Sequence, residues 1–285
     1  MIALGLSTRS KIFIAMSLRG VVKVWRGLWR RPMSGIYRRG GVVWALDLNE
    51  GIDFAIWLLG AFEHDLRKVY AKRVKAGDVI LDLGANIGAH SLPLAKLVGP
   101  EGRVVAVEAT AYAHEKLKAN LALNPDLTGR VLALHAILLA ESGGASPSHL
   151  HSSWPLNGLE PVDPVLGGAL RPVGQARPVS LDQVVEELGL SRIDWIKLDV
   201  DGNELSVLQG ARRTLVKFKP RILMELAPYC HVDTPGQFDA LIGVLAEAGC
   251  RLFTLPALKP LPLDAARLSE IIPKNGSINV LVTWA

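Results

Sequence analysis

Residues 78–90 read DVILDLGANIGAH, and this stretch limits the fold more than any other. A short apolar run (Val79, Ile80, Leu81) ends in Asp82 and Gly84, and a helical spacing of apolar residues (Ile87, Leu92, Leu94, Ala95, Val98) follows at once. Glycines in a strand-to-helix turn allow backbone angles closed to other residues and let another group come close. A strand that feeds a helix calls for a parallel partner, because parallel strands need a long crossover. The rest of the chain repeats the unit. Strand-like runs are expected at 78–84, 103–109, 130–136, 194–199, 220–227, 250–255 and 277–285, with helical spacing between them. Near-continuous apolar strands alternating with helices indicate a sheet covered on both faces. The expected fold is α/β: a doubly wound, Rossmann-like, seven-stranded and mostly parallel sheet with an antiparallel last strand.

Ligands of such sheets bind at the carboxyl ends of the strands, against helix N-termini. A dinucleotide loop would read G-x-G-x-x-G, but Asn86 stands at its third position. The form here is D-x-G-x-x-x-G, with the acidic end of the next strand, Glu108, 24 positions after Gly84. Glu108 is suited to accept ribose hydroxyls. Asp82 and loop carbonyls suit an amino group and a sulfonium, and loop amides suit a carboxylate. S-adenosylmethionine fits this set better than a nicotinamide dinucleotide.

Residues 194–211, DWIKLDVDGNELSVLQGA, set three acids at the mouth of another apolar strand: Asp199, Asp201 and Glu204. Neighbouring carboxylates repel and are costly to desolvate, so a compensating role is expected. Asp199 is the first candidate for cofactor contact or proton transfer. Asp201 and Glu204 could share that work. They also leave a divalent metal open as a cofactor without predicting one. Glu204 equally suits the first turn of a helix. Lys197 could neutralise the group, and Glu225 ends the next strand on the same edge; His231 shortly after it, and His149 and His151 in the long loop, are further candidate bases. His135 is expected to pack within its strand.

DVILDLGANIGAHSLPLA, VVAVEA, VSLDQVVEELGLSRIDWIKLDVDGNELSVLQGA and PRILMEL, in that order, resemble the FkbM-type S-adenosylmethionine-dependent methyltransferases. The upstream DLNEGIDFAIWLLGAFEHD is similar to the segment before the glycine loop in that family. The resemblance implies O-methylation of a hydroxyl on a sugar, glycan or secondary metabolite. It implies that Asp82, Gly84, Asn86 and Gly88 hold the methionine part of the cofactor, that Glu108 holds the ribose, and that Asp199 lies beside the methyl group. Two departures stand out: Ala109-Thr110 where the family often has proline, and Asp201 where it usually has glutamate. A methyltransferase acting on nitrogen, protein or RNA is the alternative, as is a non-catalytic membrane-associated binding protein of the same fold.

The chain divides into a basic extension (1–45) and a methyltransferase domain (46–285). Within the domain, residues 141–178, rich in Gly, Pro and Ser, are expected to form an irregular insertion and an acceptor-site loop. The net charge of +5 comes from the extension. Residues 1–46 carry nine basic residues and no acid, while 47–285 carry 23 basic and 27 acidic, a net of −4. The domain therefore has no charge-based case for nucleic acid. In VVKVWRGLWRR, Val21, Val24, Trp25, Leu28 and Trp29 share a helical face, with Lys23, Arg26 and Arg30 opposite. Residues 9–40 are thus expected either to lie on an anionic membrane surface or to dock on the domain. No run reaches the roughly 20 apolar residues of a membrane span. Cys230 and Cys250 read as thiols in a reducing cytoplasm, with peripheral contact at the inner membrane surface.

Overall fold

The computed structural model describes residues 8–152, 155–156, 168–232 and 234–285. Helix α1 (Thr8–Leu28) precedes a hairpin of β1 (Ser34–Arg39) and β2 (Val42–Asp47), then α2 (Gly51–Leu59) and α3 (His64–Arg73). The alternating part begins with β3 (Val79–Leu83), α4 (Ser91–Val98), β4 (Arg103–Glu108), α5 (Ala111–Ala122), α6 (Pro125–Thr128) and β5 (Val131–Leu138). Next come β6 (His149–Ser152), β7 (Ala169–Pro172), β8 (Arg177–Val179), α7 (Leu181–Glu187) and β9 (Trp195–Leu198). The chain ends with α8 (Glu204–Gln209), α9 (Arg212–Phe218), β10 (Arg221–Leu226), α10 (Gln237–Glu247), β11 (Cys250–Thr254), β12 (Pro260–Leu261), α11 (Ala265–Ile271) and β13 (Ile278–Trp284).

The central sheet runs β12-β11-β13-β10-β9-β3-β4-β5-β8. Its seven long strands are the expected ones, and β13 is antiparallel to both β10 and β11. The sheet differs from expectation by two short edge strands, giving nine rather than seven. β8 adds parallel to β5, and β12 adds antiparallel to β11. Each is three residues or fewer, too short to leave a periodic signal in the sequence. β3 and β9 are parallel, but the chain adds strands outward in opposite directions on either side of them, which makes their carboxyl ends the switch point for a ligand.

Both faces of the sheet are buried, so successive residues of a strand serve different cores. Leu81, Val105, Ile196 and Ile222 join one cluster, while Ile80, Val104, Trp195 and Leu223 join the other. The second cluster also takes in Val42, Trp44 and Leu46, the inward residues of β2. Side chains of α5 and of the turn after it complete the unpaired edge of β2. Asn120 Oδ1 accepts from the Ala45 amide (2.8 Å), and Asn124 Oδ1 accepts from the Val43 amide (2.9 Å). Lys116 and the buried Asp53 tie α2 to the same helix (2.8 Å). Packing is therefore continuous across the boundary expected at residues 45 and 46.

The 141–178 segment also differs from an irregular loop. β6 and β7 pair antiparallel, Pro155 bridges to Glu50, and β8 joins the sheet. Residues 153–154 and 157–167 of that segment lie outside the described residues.

Candidate active site

A cavity of about 400 Å³ opens at the carboxyl ends of β3, β4, β5, β9 and β10, under the β6–β7 hairpin. Its wall includes Glu63, Gly84, Asn86, Glu108, Lys197 and Asp199.

The glycine loop builds one side. Gly84 has φ +80°, and a Cβ there would lie 1.7 Å from the Asp199 carbonyl oxygen. Only glycine lets β3 turn away while pressed against the end of β9. Asn86 follows at φ +49°, a left-handed angle that asparagine tolerates better than most residues. Its amide donates to Glu108 Oε2 (2.9 Å), while Glu108 Oε1 accepts from the Thr110 amide (2.8 Å) and hydroxyl (2.7 Å). The Glu108 carboxylate thus clamps the loop to the end of β4. Of about four lone-pair sites on a carboxylate, three are engaged and roughly one faces the cavity.

Two of the expected cofactor residues stand behind the wall rather than on it. Asp82 is fully buried. Its Oδ2 accepts from Ser91 Oγ (2.5 Å), and its Oδ1 lies 3.8 Å from Lys197 Nζ. Gly88, at φ +87°, packs so closely that a Cβ would meet Leu92 at 2.4 Å and Leu117 at 2.8 Å. Both positions pack beneath the loop instead of lining the cavity. Gly84, Asn86 and Glu108 reach the cavity.

The acid cluster is likewise divided. Asp199 follows β9, and its side chain is 25% exposed. Asp199 Oδ2 lies 3.2 Å from Lys197 Nζ, which also donates to the Gly84 carbonyl (3.0 Å). Burial works against the charge on Lys197, but Asp199, Asp82 and Glu63 outweigh it and hold its pKa above the ordinary value. Asp201 has φ +50° and faces the cavity mouth. Protein around it and the Asp199 and Glu204 carboxylates raise its carboxyl well above the usual range. Its solvent-exposed side tempers that rise. Glu204 turns beneath the loop, as the first residue of α8, and is not part of the cavity wall. Its Oε1 accepts from the amides of Val200 and Gly202 (both 3.2 Å), and burial raises its pKa. These bonds hold the backbone that presents Asp199 and Asp201.

Glu225, near the end of β10, faces the cavity and accepts from Ser277 Oγ. Burial, then Asp199 and Glu63, push its carboxyl well above the usual range. The sequence did not single out Glu63 and His90, which complete the wall. Glu63, at φ +45° before α3, meets His90 Nε2 (3.0 Å) and accepts from Asn279 Nδ2 (2.6 Å). Burial disfavours its charge, but His90, Lys197 and Asn279 win and bring its pKa to about 2. Its position in FEHD, inside the segment that resembles the family, was the available signal.

Among the histidines, His149 and His151 of β6 line the cavity. His231 does not: it is buried, 3.2 Å from Gln237 Oε1 and 4.0 Å from Glu204. His135 packs as expected, its ring stacked on His114 at 4.8 Å. Among the described residues no group of three or more His, Cys, Asp or Glu is arranged to hold a metal ion.

The donor set suits S-adenosylmethionine. Among the described residues of the wall, carboxylates outnumber the one lysine, which favours a ligand carrying ammonium and sulfonium charge. Glu108 offers an acceptor for a hydroxyl, and Ala136, Ile137 and Leu138 supply an apolar surface next to it.

A family model for the methyltransferase FkbM domain matches residues 82–252, more than half of the chain. The chain is 34% identical over 158 residues to the methyltransferase sdnD of Sordaria araneosa, covering 46% of this chain and 59% of that protein. It is 28% identical over 155 residues to the hexuronic acid methyltransferase AglP of Haloferax volcanii, covering 54% and 58%. It is also 28% identical over 250 residues to the AMB antimetabolite synthetase AmbE of Pseudomonas aeruginosa, covering 72% of this chain and 11% of that protein. The chain thus spans less than two thirds of the length of each of these relatives. A solved S-adenosylmethionine-dependent O-methyltransferase from Thermotoga maritima aligns over 91% of this chain and 81% of its own, with 16% identity and a TM-score of 0.42.

Proposed function

Since this chain belongs to the FkbM methyltransferase family, we propose that it methylates a hydroxyl group of a sugar, a glycan or a related small metabolite. When bound, S-adenosylmethionine supplies an electrophilic methyl group. The Asn86 turn, Glu108 and Asp199 would hold it, with Lys197 keeping Asp199 in place.

The observation that carries the hydroxyl assignment is the acceptor-rich mouth of the cavity. Asp199, Asp201 and Glu225 come together there, with His149 and His151 across from them on the hairpin. A hydroxyl must shed its proton as it is methylated, and a carboxylate of raised pKa is a stronger base than an ordinary one. Asp201 has such a pKa and faces the mouth. In this reading Asp201 takes the proton, while Asp199 orients the reacting groups. Carboxylates and imidazoles also accept hydrogen bonds from the several hydroxyls of a sugar. The relative AglP carries the name hexuronic acid methyltransferase, which agrees with a carbohydrate acceptor.

The test is transfer of labelled methyl from S-adenosylmethionine to cell-extract fractions and purified glycans. Label is expected in carbohydrate or small-molecule fractions, as a methyl ether that survives mild alkali. Label confined to protein or RNA would overturn the proposal.

A further inference from the structure

Helix α1 is docked on the body of the protein the wrong way round for a helix that shields a core. Its inward stripe is Ala15, Arg19, Val22 and Arg26, spaced i, i+4, i+7, i+11. Both arginines are buried, at 8% and 6% exposure. Arg19 Nε donates to Asn49 Oδ1 (3.1 Å), and Arg26 Nε donates to the Pro32 carbonyl (2.8 Å), with the Arg26 guanidinium over the Tyr37 ring. The large apolar side chains point the other way. Phe13, Val21, Val24, Trp25, Leu28 and Trp29 are each between 47% and 77% exposed. A contiguous apolar stripe of this size, turned to solvent while charged residues are hydrogen-bonded beneath it, marks an interaction surface.

Charge decides what covers it. Lys23, Arg30, Arg31 and Arg38 are exposed around the stripe, and residues 1–46 contain no acid to offset them. A second copy would bring the same cations face to face. An anionic lipid surface offers both an apolar layer for tryptophan and leucine and negative headgroups for the basic rim. We infer that α1 is a peripheral membrane anchor. It lies in the plane of an anionic bilayer, with Trp25, Leu28 and Trp29 inserted and Arg19 and Arg26 holding the enzyme to its back. Among the described residues no helix is long and apolar enough to cross a membrane.

The test is co-sedimentation of the full chain with phosphatidylcholine vesicles, with and without about 30% phosphatidylglycerol, a content that gives an anionic surface. The full chain is expected to bind the anionic vesicles, and more weakly as salt rises. Trp25→Ser/Leu28→Ser/Trp29→Ser should reduce that binding about tenfold or more, since it removes the inserted surface. Lys23→Glu/Arg31→Glu, which leaves the apolar stripe intact, should weaken binding to anionic vesicles alone. Equal binding by the triple variant and the parent would overturn the inference. So would a concentration-dependent dimer that the triple substitution disperses in a chain that binds no vesicles.

Discussion

Lys197→Met is the sharpest perturbation of the site. Lys197 is the cation shared by Asp82, Asp199 and Glu63, and Asp82 is fully buried with its Oδ1 facing that ammonium. Methionine fills similar space without charge, so the loss is electrostatic rather than a cavity. Removing one partner of a buried ion pair costs about 3–5 kcal/mol, because the remaining charge stays buried without compensation. At roughly 2–4 °C per kcal/mol, the melting temperature should fall by about 6–20 °C. Lys197→Met/Asp82→Asn should recover part of the loss, the coupling expected for partners in contact. Urea unfolding of the four proteins of this cycle gives these quantities. A deficit under about 1 kcal/mol, with no recovery in the double variant, would refute the account of Lys197 as the neutralising group.

Gly84→Ala should destroy the site, because its Cβ would overlap the Asp199 carbonyl at 1.7 Å; loss of S-adenosylmethionine binding, or of soluble folded protein, is the readout. Glu225→Gln removes a half-buried carboxyl of raised pKa, so it should stabilise the fold by about 1 kcal/mol at neutral pH, and the gain should vanish near pH 4, measured by urea unfolding at several pH values. Asp201→Asn should lower the methyl-transfer rate by about 10²–10⁴-fold and abolish the acid limb of its pH profile, with the thermal midpoint little changed. Glu204→Gln keeps an acceptor for the Val200 and Gly202 amides and should retain most activity, whereas Glu204→Ala, which leaves them without it, should lose about 1–3 kcal/mol of stability along with activity.

The centre of the sheet was readable because β3, β4, β9 and β10 are buried on both faces, which leaves an unbroken apolar run between turn residues. Its edges were not, since β8 and β12 are too short to show a period. The helix expected over 203–217 is two helices, α8 and α9. The break lies at Gly210, where a Cβ would meet the Leu139 carbonyl at 2.2 Å. That close approach comes from the segment just past β5, distant in sequence, and leaves no local mark. In the site, the acids and Lys197 were legible as a cluster. Which acids face the cavity was not, because a one-residue change of direction in a turn decides it: Asp201 opens outward and Glu204 turns under. Glu63 and His90 were missed since their partnership spans 27 residues and depends on how α3 meets α4. The basic arm showed its amphipathic period plainly. The sequence could not say which face meets the protein, and buried hydrogen bonds of Arg19 and Arg26 decide that.

The central claim, that the cavity at the ends of β3, β4 and β9 receives S-adenosylmethionine, is tested most directly by calorimetric titration of the folded chain with that compound, beside Glu108→Ala. The account predicts saturable binding at one site per chain, weakened about tenfold or more when the Glu108 carboxylate is removed. No binding heat from a folded sample, or equal affinity in the two proteins, would contradict it.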